Sequence, residues 1–262
     1  MTLKIYQIDA FANKIFGGNP AAVCPLDHWI DEEVMQLIAM ENNLAETVFY
    51  VKGQDQYQIR WFTPTIEVDL CGHATLAAAY VIFHIEHYHQ DVIQFFSSRS
   101  GILPVTKKGD WISLDFPTDI YDEVEITEAM HAAFDISPKS VFKGKSDYMF
   151  VYESEKDIIA FQPNMDKIAA IEARGIIITA PGVEVDFVSR FFAPQSGITE
   201  DPVTGSAHTT LIPYWASVLG KNQLTARQLS RRKGDLHCQY LGDRVVISGQ
   251  GKIYLSGEIY IG

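Results

Sequence analysis

The chain has 262 residues, 47% of them hydrophobic and 12% aromatic, enough to bury a full core in one or two domains. Its 33 acidic residues against 21 basic ones give a formal charge of −12, which repels nucleic acid and anionic membrane surfaces and argues against both as partners. Cys24, Cys71 and Cys238 are odd in number and widely spaced, so neither a disulfide framework nor a CxxC zinc site is indicated, and no apolar run reaches membrane-spanning length.

The amino terminus, MTLKIYQIDAF, alternates like a strand over Leu3 to Phe11 and lacks the layout of a signal peptide, which points to the cytoplasm. GGNPAAV, from Gly17 to Val23, reads as a turn entering a second apolar run. Asp31 is placed to cap a helix running to Asn43, with Val34, Leu37 and Ile38 on one face. Strands follow at Leu44 to Val51 and Tyr57 to Phe62, then a helix from the turn at Gly72 to about His84. Asp91 to Ser97, Ile102 to Lys107 and Trp111 to Phe116 are further strands. After Pro117 come a short helix at Thr127 to Phe134, strands at Tyr148 to Tyr152 and Ile158 to Phe161, and a helix from Asn164 to Arg174. Ile176 to Thr179 and Phe187 to Phe192 are strands, and a helix beginning near Gly205 ends at Gly220, bent or split by Pro213. Leu236 to Tyr240, Arg244 to Ser248 and Lys252 to Ile261 close the chain as strands. Short strands with polar punctuation, grouped about single helices, define the α+β class.

An internal offset organises these elements. Gly72 and Gly205 are 205 − 72 = 133 positions apart, and the same offset relates Ala74 to Ala207, Arg99 to Arg232, Gly101 to Gly234 and Gly109 to Gly242. RWFTP at Arg60 matches RFFAP at Arg190 at 190 − 60 = 130, so the second copy carries extra residues before its glycine. A half of about 130 residues occurring twice predicts two similar lobes rather than a solenoid. The first lobe spans 1–117 and the second 118–251.

Each copy centres on a glycine turn, DLCGHATLAAA and DPVTGSAHTTL, that opens a helix. The free N–H groups and dipole of a helix start attract carboxylates and developing oxyanions, and glycine lets a ligand approach the backbone. Two such starts suggest one small carboxylate-bearing ligand held between them. Glu46, in the apolar run NLAETVFYV, is the candidate general acid and base, because an apolar setting raises a carboxyl pKa toward the useful range. The plainer reading is a solvated edge position. His73 follows Gly72, where the dipole favours the neutral imidazole, able to give or take a proton. Asp201 and Ser206 stand at the second turn, as orienting groups or simply as turn and cap residues. Asn19, Gly72, Ala74, Gly205 and His208 are assigned to binding the ligand. His84, His87 and His89 fall at a helix end and its loop, so no metal site is expected. The second turn lacks a P-loop lysine and Gly249-Gln250-Gly251 is no dinucleotide fingerprint, so no cofactor is implied.

With GGNPAAV, NLAETVF, WFTP, DLCGHATLA and FFAPQSGITEDPVTGSAH in order over almost the whole chain, the sequence resembles the PhzF-like phenazine biosynthesis family. The resemblance implies the diaminopimelate epimerase-like fold: two pseudo-symmetric lobes, each a mixed, largely antiparallel barrel-like sheet around a central helix, with the site in the cleft between them. It implies that residues 252–262 return to the first lobe, and that the protein is a homodimeric, cofactor-independent isomerase. Its catalytic residues then fall on Glu46, His73, Asp201 and Ser206. The two opposed cysteines of related racemases are not both present, since Thr204 stands where the second would be. Epimerisation by Glu46 with Cys71 or His73, and a scaffold without turnover, are the alternatives.

Overall fold

The computed structural model describes all 262 residues. In chain order the elements are β1 (Thr2–Ala10), β2 (Asn19–Leu26), α1 (Glu32–Asn42), β3 (Glu46–Lys52), β4 (Tyr57–Phe62), β5 (Glu67–Val68) and α2 (Gly72–Tyr80). A π-turn at Val81–Ile85 prolongs α2, and β6 (Val92–Ser97), β7 (Gly101–Lys108) and β8 (Trp111–Pro117) follow. Then come β9 (Asp122–Val124), α3 (Glu128–Ala133), β10 (Ser140–Lys143), β11 (Asp147–Val151), α4 (Glu155–Ala160), α5 (Met165–Ala169), β12 (Gly175–Pro181) and β13 (Phe187–Phe192). The last elements are α6 (Gly205–Leu219), β14 (Gln223–Gln228), β15 (Gly234–Tyr240), β16 (Arg244–Gly249) and β17 (Gly251–Tyr260). No helix is long and apolar enough to cross a membrane.

The chain divides into two compact units, one of residues 1–115 with 248–262 and one of residues 116–247. In the first, β2 pairs parallel with β3, β3 antiparallel with β4, β4 parallel with β6, and β6 antiparallel with β7. In the second, the same sequence of pairings runs β11, β12, β13, β14, β15. The carboxy-terminal β17 pairs antiparallel with β1 from Thr2 opposite Tyr260 to Ala10 opposite Gly251, so the first unit is closed by the last strand of the chain.

Packing follows side-chain size. Every residue of α2 from His73 to Ala79 is buried, and the helix lies against β1, β2, β3 and β17. Its alanines allow strands to approach on all sides, which a helix of larger residues would prevent. In the second unit α6 packs on β11, β14 and β15, with Trp215 stacked on Phe187 at 5.7 Å between ring centres. On β6 and β8 inward residues alternate, Ile93 and Phe95 on one, Ile112 and Leu114 on the other, as the strand period requires.

Several sequence expectations are corrected. Residues Ile158 to Phe161, expected as a strand, form the end of α4 and its C-cap, because Ser154 and Asp157 make a reciprocal capping box that starts a helix there. The helix from Asn164 stops at Ala169, well short of Arg174, and α6 runs unbroken through Pro213. Asp31 makes no side-chain capping bond, and Leu37 is half exposed while Met35, Ile38 and Ala39 form the buried face of α1. Sequence reasoning did not find β14, which joins β13 to β15 in the second unit.

Candidate active site

Three local features bring the first group of residues together. Gly18, at φ +60°, lets the chain turn into β2; a Cβ there would sit 2.0 Å from the Ala10 carbonyl oxygen. Asn19 therefore opens β2, beside Glu46, which opens the parallel neighbour β3. The loop after β5 delivers Cys71 as the N-cap of α2 and His73 as its second residue. Cys71 caps with its backbone: its carbonyl accepts from Thr75 N at 3.0 Å and Thr75 Oγ1 at 2.6 Å.

The imidazole of His73 lies between the other groups. Its Nδ1 is 3.3 Å from Asn19 Nδ2 and 3.4 Å from Cys71 Sγ, and its Nε2 is 3.1 Å from Glu46 Oε2. Both partners of that pair are largely withdrawn from water, with side-chain exposures of 6% for His73 and 13% for Glu46. Glu46 Oε2 and His73 Nε2 are buried and are in ion-pair contact without hydrogen-bond alignment. Burial opposes the charged form of His73, but the adjoining Cys71 sulfur and Glu46 carboxylate outweigh it and hold its pKa well above that of an ordinary imidazole. The neutral ring expected from the helix dipole is thus overturned by a carboxylate in contact. Burial, then Glu46, pushes the Cys71 thiol up. One ligand atom each from Glu46, Cys71 and His73 lies within 4.8 Å of the others, the one grouping here of a kind that could hold a metal ion. Gly72 and the fully buried Ala74 shape the helix start.

The second turn is built differently. Thr204, N-cap of α6, donates its hydroxyl to Asp201 Oδ2 at 2.5 Å. The buried Gln228 of β14 accepts from Thr204 N at 2.8 Å and donates to Asp201 O at 2.7 Å, so one amide side chain locks the turn. His208 is completely buried and donates from Nδ1 to the Thr204 carbonyl at 2.8 Å. Burial lowers its pKa to about 4. It holds the turn from within, and its buried Nε2 makes no hydrogen bond within the chain. Ser206, by contrast, is exposed, and its Oγ accepts from Arg174 Nη2 at 3.1 Å. Arg174 is anchored by a two-pronged pair with the buried Asp147. A guanidinium only donates, so the Ser206 hydroxyl proton is free to point elsewhere.

The structure therefore gathers Asn19, Glu46 and His73 in the first unit and Asp201, Gly205 and Ser206 in the second. Sequence reasoning passed over Arg174, Asp147 and Gln228 as site residues. None has a counterpart at the repeat offset, so nothing in the residue pattern singled them out.

The fold is the mixed α+β fold of the diaminopimelate epimerase kind: a hydroxyproline epimerase from Agrobacterium vitis superposes with a TM-score of 0.64 over 98% of this chain and 92% of its own, at 8% identity. Residues 8–257 match the family described as phenazine biosynthesis-like protein, PhzC-PhzF. A PhzF-family protein from Enterococcus faecalis superposes with a TM-score of 0.97 and 44% identity over all of both chains. A Pseudomonas aeruginosa protein named an uncharacterized isomerase is 48% identical over 261 residues, all of either chain. The chain belongs to the phenazine biosynthesis-like PhzF family, and it is an isomerase.

Proposed function

We propose that this isomerase moves a proton on a small carboxylate-bearing substrate by general acid–base catalysis, without a cofactor, with Glu46 taking the proton from one position and returning it at another. The observation that carries the reading is the buried contact of Glu46 with His73. With its Nε2 at 3.1 Å, the His73 imidazole is within reach to exchange a proton with Glu46. Asp201, held by Thr204, and Ser206, held by Arg174, orient the substrate, and the helix starts at Gly72 and Gly205 hold its carboxylate and the developing enolate-like charge.

The epimerase alternative fares less well on distance. Two opposed groups each need to stand about 3–3.5 Å from one carbon, on opposite faces, and so about 6–7 Å apart. The reactive atoms of Glu46, Cys71 and His73 lie within 4.8 Å of one another and leave no room for a carbon between any two. Nor is Glu46 turned into solvent, as a mere scaffold would allow.

A metabolite screen by thermal shift, followed by solvent-deuterium incorporation into the stabilising hits, tests the proposal. An isomerase labels a new position as the hydrogen or double bond moves, whereas epimerisation labels and inverts one stereocentre. Glu46→Gln should lower the rate by at least about 10²–10⁴ with an unchanged circular dichroism spectrum; an active variant refutes the assignment. Loss of additivity between Glu46→Gln and Ser206→Ala would support action of the two turns on one substrate. The family resemblance also suggests a cytoplasmic homodimer, which light scattering on the purified chain checks for assembly.

A further inference from the structure

The last strand, β17, is left uncovered over most of its length. It pairs with β1 along one edge, yet residues 253–258 are exposed one after another, on both faces, beginning with Ile253, Tyr254 and Leu255 at 39%, 50% and 43% exposure. The exposed Phe16 sets its ring 5.7 Å from that of Tyr254, so the apolar surface runs from the strand onto the loop that leads to Asn19. We propose that β17 pairs edge to edge with β17 of a second copy, antiparallel about a two-fold axis at Leu255. This rests on the homodimer reading above and adds to it the surface and the register.

Exposed edge strands are commonly guarded by charge or proline, and residues 253–257, IYLSG, contain neither. The register against β1 passes from Leu255 opposite Gln7 to Ile253 opposite Ile8, which leaves Tyr254 with no residue across from it and available to a strand on the other side. The flanking charges choose the register of the second copy. Lys252 and Glu258 are the charged residues of β17, and an antiparallel pair sets one opposite the other when the axis falls at their midpoint, residue 255. The two-fold makes that unlike-charge pair twice, whereas every other register sets these residues against like charge or against uncharged side chains. The same register puts Tyr254 across from Ser256 and Ile253 across from Gly257, so large side chains meet small ones. At Gly257 there is room for this, since a Cβ built there would approach only Leu255, at 4.0 Å. Both copies use the same edge, so the pairing closes at two and does not propagate.

Sedimentation of the intact purified chain over a dilution series tests the pairing. The wild type should be a dimer. Lys252→Glu sets like charges across the axis twice and should raise the dimer Kd by about tenfold or more, Glu258→Lys should do the same, and the two together should restore it. Within one chain, β1 places Asp9 across from position 252 and Lys4 across from position 258. A purely local role would therefore make the double exchange the worst of the three, and rescue separates the two explanations. Leu255→Lys, on the axis, should leave a monomer with an unchanged circular dichroism spectrum, while Ile120→Lys, at an apolar residue 83% exposed in the second unit, should leave the dimer intact. A dimer that no β17 variant moves, a double exchange no better than the single ones, or growth past two copies overturns this surface alone. A wild-type monomer, its edge open to a different protein, overturns the homodimer reading with it. Deuterium incorporation, lost in Glu46→Gln, reads the acid–base proposal separately.

Discussion

His73 and His208 are both buried near the start of a helix, yet they respond to protons in opposite ways because only one has a carboxylate for a neighbour. His73 has its pKa raised in the folded chain. Its contribution is therefore full below the unfolded value of about 6.5 and fades as pH rises through the higher folded value. The stability gap between the protein and its His73→Gln variant should be wide at about pH 6 and narrow on going alkaline; a gap that widens instead refutes the ion pair. His208 faces a carbonyl and an aromatic ring, and its folded pKa falls to about 4. Its contribution is full above about 6.5 and is lost as pH falls toward the folded value, a change on the order of 3 kcal/mol. Urea midpoints between about pH 7 and 4 should drop for the wild-type chain and flatten in His208→Gln, and equal slopes would remove His208 from the account.

At the scale of elements, each glycine turn is tied back by the same device. Arg60 on β4 grips Glu67 and lies 5.2 Å over Phe62; Arg190 on β13 grips Glu200 and lies 5.0 Å over Phe192. Both glutamates stand five residues before the helix-opening glycine, since 72 − 67 and 205 − 200 are both 5. Glu67 is 9% exposed while Glu32, which binds the same arginine, is 66% exposed. Glu67→Gln should therefore cost about 1–3 kcal/mol and speed amide exchange over 66–72, whereas Glu32→Gln should cost under about 0.5 kcal/mol. Equal costs would mean that the clamp does not hold the turn. The clamps show how far the sequence was legible. RWFTP and RFFAP announced themselves by repetition, whereas the candidates His73, Asp201 and Ser206 were picked out by their places at the glycine turns and Glu46 as a carboxylate in an apolar run. The partners Arg174 and Gln228 reach the second turn from 32 and 24 residues away, a relation that no local period records. Residues 158–161 misled for a different reason: a short apolar run fits a buried strand or a helix end, and only the capping box at Ser154 decided it.

For the whole molecule, chain order sets the order of assembly. The second unit is continuous from 116 to 247, but the first needs β17, whose register sets Thr2 opposite Tyr260. Bringing those ends together closes a loop of nearly the full chain, the most expensive contact in conformational entropy and the slowest to form. Folding of the second unit is therefore expected to precede completion of the first. Trp215 is buried in the second unit and the remaining tryptophans, Trp29, Trp61 and Trp111, belong to the first, so replacing those three by Phe leaves a single reporter. On dilution from urea, Trp215 fluorescence should reach its native value before pulse-labelled amides of β1 and β17 become protected. Removing 248–262 should slow or prevent protection of β1 while leaving the Trp215 phase in place, because β1 loses its long antiparallel partner and α2 one of its walls. Protection of β1 at or before the Trp215 phase would show that the ends meet early, and the assembly order inferred from the register would then be reversed.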